Sequence, residues 1–162
     1  MKATILSEQI LLVKGKTDQL ITDILPEKWN ETPGVLKTNL NWQIGHIILA
    51  NYLHGIASIS GASTEFKEKI NLPDYIKFYG PKSNPADFEK EKPSTKELIA
   101  AYELTMAIIL RNLENINEKD LDNDTEVPNP AVKTKYEALL WLPQHQSWHN
   151  GQIAVLKRML DN

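Results

Sequence analysis

The sequence contains no cysteine, so disulfides, thiolate metal sites and a cysteine nucleophile are excluded. No apolar run approaches the ~20 residues that a membrane-spanning helix needs. The opening stretch, MKATILSEQILLVKGKTDQ, has a short apolar patch broken by Glu8 and Gln9, unlike the continuous core of a signal peptide. Basic clusters are missing too: 18 Lys+Arg face 21 Asp+Glu, a formal net charge of -3. Nucleic-acid affinity comes largely from neutralised phosphates, so a weakly acidic chain is poorly suited to that role. Alternating strand patterns, internal repeats and low-complexity tracts are also absent. What remains is the expectation of a soluble, cytoplasmic protein with one domain over residues 1–162, large enough to bury a core without staples.

Helical periodicity is what the chain does have, in four segments. Leu6, Ile10, Val13, Thr17, Leu20 and Ile24 recur at three- and four-residue steps, ending before Pro26. A second segment opens at Thr38 or Asn39, both good caps, and carries Trp42, His46, Leu49, Leu53, Ile56 and Ser60 on one face before Gly61. The third begins with Ser94 and Glu97, a capping box after Pro93, and its stripe is Leu98, Tyr102, Thr105, Ile109, Leu113 and Ile116. The fourth begins with Thr134 and Glu137, again at capping-box spacing, and its stripe is Ala138, Leu142, His145, His149, Ile153, Leu156 and Leu160. The pattern predicts an all-α four-helix bundle. Residues 61–93, with Pro73, Pro81, Pro85 and Pro93, form a long crossover between helices two and three and are expected to hold a short helix or turn.

Three histidines on inward stripes carry the chemical signal. Residues four apart on a helix lie on the same face, so His145 and His149 project into a common volume. His46 supplies a third imidazole from the facing segment, and three neutral ring nitrogens suit zinc, nickel or ferrous iron. An HxxxH pair alone is weak evidence, because core and surface histidines also fall at this spacing. His54 follows His46 by eight residues, which on a regular helix turns it about 80° away. It is therefore read as exposed or hydrogen-bonding, and not as a ligand. HQSWH lacks the glutamate of the HExxH metalloproteases, and no ExxH pattern of a di-iron bundle appears. Gly45 removes bulk beside His46, and Pro143 is expected to kink the last helix upstream of the pair.

Several segments together resemble the DinB/YfiT-like metalloenzyme superfamily: LPEKWNETP, NWQIGHIILANYLH, KPSTKELIAAYE and, most specifically, HQSWHNGQIAVLKRML. The resemblance spans nearly the whole chain. It implies an up-down-down-up bundle, a homodimer, and one divalent ion on His46, His145 and His149, the same three that the stripes select. Asn150 stands where the family often has arginine, which puts a charged contact from that position in doubt. Gln152 matches the family pattern; the resemblance implies an orienting role, and the simpler reading is a helix-surface or packing amide. Trp42 and Trp148 flank the ligands, and Asn51, Tyr52 and Gln144 are polar neighbours read as candidate supports for them.

Two enzymatic chemistries fit such an ion. In a hydrolase it acidifies water and directs hydroxide at a carbonyl. In a thiol S-transferase or isomerase it binds a low-molecular-weight thiol of the bacillithiol or mycothiol type, with Lys77, Lys82, Lys90 and Lys92 as candidate partners for the thiol's carboxylates, although a solvated charged loop is the simpler reading of these lysines. The third reading is a non-catalytic, metal-stabilised bundle. A small-molecule substrate is expected, and neither nucleic acid nor a membrane.

Overall fold

A computed structural model describes residues 2–161, and among them every regular element is helical apart from one isolated antiparallel bridge between Asp124 and Thr134. The four long helices are α1 (Lys2–Ile21), α2 (Leu40–Asn51, prolonged by a π-helical stretch, Tyr52–Ala57, and a last turn, Ser58–Ser60), α5 (Thr95–Asn115) and α6 (Lys135–Leu160). The segment expected to carry one short helix carries two, α3 (Thr64–Lys69) and α4 (Leu72–Tyr79). Short 3-10 turns occupy Pro26–Lys28 and Glu118–Asp122.

The ends of the long helices are set by local chemistry. Asn39 accepts a hydrogen bond from the Trp42 amide and starts α2, a cap generally worth ~1 kcal/mol. Ser94 with Glu97, and Thr134 with Glu137, form reciprocal capping boxes at the starts of α5 and α6. Both glutamates are held below the usual carboxylate range by these bonds. Pro143 lies inside α6 and is buried, and the helix continues through it to Leu160.

α2 is the central element. It packs against α4, α5 and α6, while α1 packs against α6 and α5. Covered on several sides, α2 is buried almost all round instead of along one stripe: from Leu40 to Ile59 only Trp42, Leu49 and Leu53 are half-exposed. The crossover contributes to the core through Phe66, Tyr75, Phe78 and Tyr79. A Cβ on Gly45 would come within 2.4 Å of the Tyr79 ring, so glycine is what lets α4 approach α2 here. Lys92, expected in a solvated loop, is instead buried, with Nζ donating to the Pro85 carbonyl at 2.7 Å.

The π-helical stretch changes which residues of α2 face inward. One extra residue in a turn sets back everything after it by about 100°. His54 lies inside the stretch, so the displacement of about 80° counted on a regular helix does not hold for it, and its ring comes within 6.3 Å of that of His145. His54 is 6% exposed and hydrogen-bonded to Asn129, the second of the two roles expected for it, and Ser60 is exposed instead of inward.

A buried polar layer crosses the middle of the molecule. Gln146 of α6 donates through Nε2 to the Thr17 hydroxyl of α1 at 2.6 Å and the Tyr102 hydroxyl of α5 at 2.7 Å. Its Oε1 accepts from Asn51 Nδ2 of α2 at 2.8 Å. Asn150 joins this layer by accepting from Thr17 at 2.9 Å. The position where arginine was the alternative therefore faces α1.

Candidate metal centre

His46 reaches the centre from α2, and His145 and His149 from successive turns of α6. Ring centroids lie 4.6 Å apart for His145 and His149, 4.8 Å for His46 and His149, and 5.3 Å for His46 and His145. One nitrogen from each ring can be chosen so that all three lie within 4.8 Å of one another, close enough to share an ion.

Hydrogen bonds at the other ring nitrogens decide which lone pairs are free. His46 Nδ1 lies 2.7 Å from the Tyr79 carbonyl oxygen. A carbonyl only accepts, so Nδ1 carries the hydrogen and Nε2 presents its lone pair. His149 Nδ1 lies 2.6 Å from Gln43 Oε1. The Gln43 amide is oriented by two further bonds, Nε2 donating to Thr38 Oγ1 and to Gln152 Oε1, both at 2.9 Å. Its oxygen must therefore face His149, which again places the hydrogen on Nδ1 and frees Nε2. Two rings are thus held in the tautomer that ligates a metal through Nε2, by the kind of outer partners that orient histidine ligands.

His145 differs. Its Nε2 is 3.3 Å from His149 Nε2, while its Nδ1 is buried without a partner. A bare lone pair on His149 at that distance needs a hydrogen or a cation from the His145 side. The donor set, three neutral imidazoles and no carboxylate, suits a divalent ion of the zinc, nickel or ferrous type. Burial, with smaller contributions from neighbouring imidazoles, lowers His145 to about 4 and His149 to about 3. His46 is also lowered, burial outweighing its bond to the Tyr79 carbonyl. All three are neutral near pH 7, the state that binds metal.

The surroundings are aromatic on the solvent side. Trp42 stacks on His46 at 4.8 Å and an interplanar angle of 8°, and its indole nitrogen donates to Ser83 Oγ at 2.8 Å. Trp148, 58% exposed, lies 6.3 Å from His145 and meets Trp141 edge-on at 5.2 Å. No aspartate or glutamate is among the buried residues described.

The structure brings together the three histidines selected from the sequence and adds partners that were not foreseen. Gln43 lies three residues before His46, a spacing that shares a helix face and could have identified it. The Tyr79 carbonyl belongs to the backbone of a segment read as a linker and left no signal. The Gln152 amide does orient, but through Gln43. The suggested neighbours lie elsewhere: Asn51 belongs to the polar layer, Tyr52 stacks on Phe66 at 4.3 Å, and Gln144 is exposed.

A family model described as the DinB superfamily matches residues 9–153. No curated protein matches the chain.

Proposed function

Because the chain belongs to the DinB superfamily and gathers three imidazoles at one point, we propose that it is a metal-dependent hydrolase with one divalent ion on His46, His145 and His149. The observation that carries this reading is the pair of fixed tautomers, Nδ1–H on His46 and on His149, which leave two Nε2 lone pairs beside His145. An ion there would polarise a carbonyl and lower the pKa of water. The residues of the chain hold the rings neutral and oriented, and Trp42 and Trp148 wall the approach. The long helices are proposed to form an up-down-down-up four-helix bundle as a single cytoplasmic domain. The exposed Leu11 and Leu12 of α1 and Trp148 and Val155 of α6 support a homodimer.

The absence of a buried carboxylate among the described residues favours a second reading, in which a metal-held thiol attacks an electrophile and the protein supplies no general base. The first test is metal analysis of the purified protein after reconstitution with zinc, nickel or ferrous iron. Close to one ion per chain is expected, and none after reconstitution defeats both readings. The loaded protein is then assayed against esters and lactones, and against thiol-plus-electrophile pairs. Turnover of the first set supports the hydrolase, and turnover of only the second supports the transferase.

A further inference from the structure

His54 is the one histidine that the metal reading leaves unused, and its surroundings fix its chemistry. Asn129, on the loop before α6, accepts from the Ala131 amide through Oδ1 at 3.0 Å. Its Nδ2 therefore faces the other way, and donates to Ser58 Oγ at 3.0 Å and to His54 Nδ1 at 2.9 Å. Both amide hydrogens and the amide oxygen are thus committed. His54 Nδ1 can only be an acceptor, so the neutral ring carries its hydrogen on Nε2. This is the opposite tautomer from that of His46 and His149, whose hydrogens lie on Nδ1.

Position adds to this. The His54 ring lies 6.3 Å from the ring of His145, and His54 is not one of the histidines whose nitrogens can share an ion. On its other side, Asn129 lines an open cleft of about 580 Å³ together with Val132, Lys133, Leu140, Trp141 and Gln144. His54 therefore bonds a cleft-lining residue through Nδ1 while its ring lies beside that of His145, and its Nε2–H is left for another partner.

We propose that His54 is a substrate-binding hydrogen-bond donor, a neutral imidazole whose Nε2–H meets an oxygen of a carbonyl or carboxylate compound held at the three-histidine ion. The inference rests on the metal reading above. One oxygen of such a compound faces the ion and the other oxygen, or the oxygen on which charge develops, faces His54. Asn129 is the positioning residue that keeps the hydrogen on Nε2.

The test has two parts. Imidazole 15N NMR on the metal-free protein at pH 8 is expected to show the His54 hydrogen on Nε2, and to show it moved to Nδ1 in Asn129→Asp, since a carboxylate only accepts. Acetate binding is then followed by the visible spectrum of the cobalt(II)-loaded protein, with thiocyanate as an anion of equal charge that carries no oxygen. His54→Phe and Asn129→Asp are each expected to weaken acetate relative to thiocyanate by about tenfold or more, with cobalt stoichiometry unchanged. A wild-type hydrogen on Nδ1, or acetate that does not bind or binds equally in all three proteins, overturns the proposal. Loss in His54→Phe but not in Asn129→Asp also overturns it, because His54 is then only a clamp for the loop. If His54→Phe does not fold, Asn129→Asp alone decides. Wild-type protein that binds no cobalt defeats the metal reading itself, whereas cobalt binding with acetate indifferent to His54 defeats only this inference.

Discussion

Two polar clusters lie inside this protein, both built on α2 and α6, and they differ in whether their members satisfy one another. In the layer around Gln146, amides and hydroxyls from four helices exchange hydrogen bonds, and Asn51 Oδ1 is its one buried atom without a partner. In the histidine cluster the outer nitrogens of two rings are tied down while the inner ones meet with nothing but each other. The first arrangement is complete but for that one oxygen, and its bonds tie the four helices together. The second has spent its hydrogen bonds on orientation and kept its lone pairs. Burial of polar groups is common to both, so burial alone does not mark a functional site; convergent free lone pairs do.

Each cluster turns on one fully buried glutamine, and exchanging the damage between the clusters is the strongest way to break the comparison. Gln146→Leu strips partners from Thr17, Tyr102 and Asn51 at once, and is expected to cost about 3 kcal/mol or more in urea unfolding. Its metal stoichiometry should stay near that of the wild type. His149→Ala is expected to abolish metal binding while helical circular dichroism survives, because the apolar seams do not depend on the ion. Complete unfolding of His149→Ala would move the cluster into the structural class and favour a metal-stabilised, non-catalytic protein.

Acid should separate the clusters next. The layer has no group that titrates near neutrality, whereas His54 and His145 are lowered to about 4 and His149 to about 3, chiefly by burial. In the unfolded chain these rings titrate near 6.5. Between about pH 6.5 and pH 4 the unfolded state binds protons that the folded state refuses, so stability falls as pH falls through that window. The loss for the metal-free protein is on the order of a few kcal/mol, discounted for the partial exposure of His145. Urea midpoints at pH 7 and pH 5 measure it. In a variant with His54, His145 and His149 replaced by glutamine, most of this pH dependence should vanish.

The parts of the fold and site that the sequence announced are those governed by local rules. Capping residues act within three positions, and the i, i+4 spacing of His145 and His149 follows from helix geometry alone. What stayed hidden depends on the third dimension. The Tyr79 carbonyl became an orienting partner because α4 folds onto α2 at Gly45. Trp29 and Phe66 gave no periodic signal and are among the largest fully buried side chains. The exposed alternative for His54 failed for a different reason: counting residues at a fixed angle fails at a π-helical stretch, and nothing in YLHGIA flags one. The stripe read for α2 failed in the same way at Ser60, beyond the same turn.

The smallest effect is expected at Gln43, and it sharpens the comparison most. Gln43 is as buried as Gln146, yet its bonds run to His149, Thr38 and Gln152, and not into the core layer. Gln43→Leu keeps the side-chain volume and removes the acceptor that holds the His149 hydrogen on Nδ1. Outer partners of metal-binding histidines typically contribute 10- to 100-fold in affinity, so zinc should bind about 10- to 100-fold more weakly by competitive chelator titration. Stability in the metal-free state should change less than in Gln146→Leu, since Thr38 and Gln152 keep access to water. Gln43→Glu offers the converse: an ionised carboxylate accepts more strongly than an amide, so the variant should retain the Nδ1–H tautomer and bind zinc at least as well as Gln43→Leu binds it. If Gln43→Leu leaves zinc affinity unchanged and destabilises the fold instead, Gln43 is a packing amide like Gln146, and the line between the two clusters disappears.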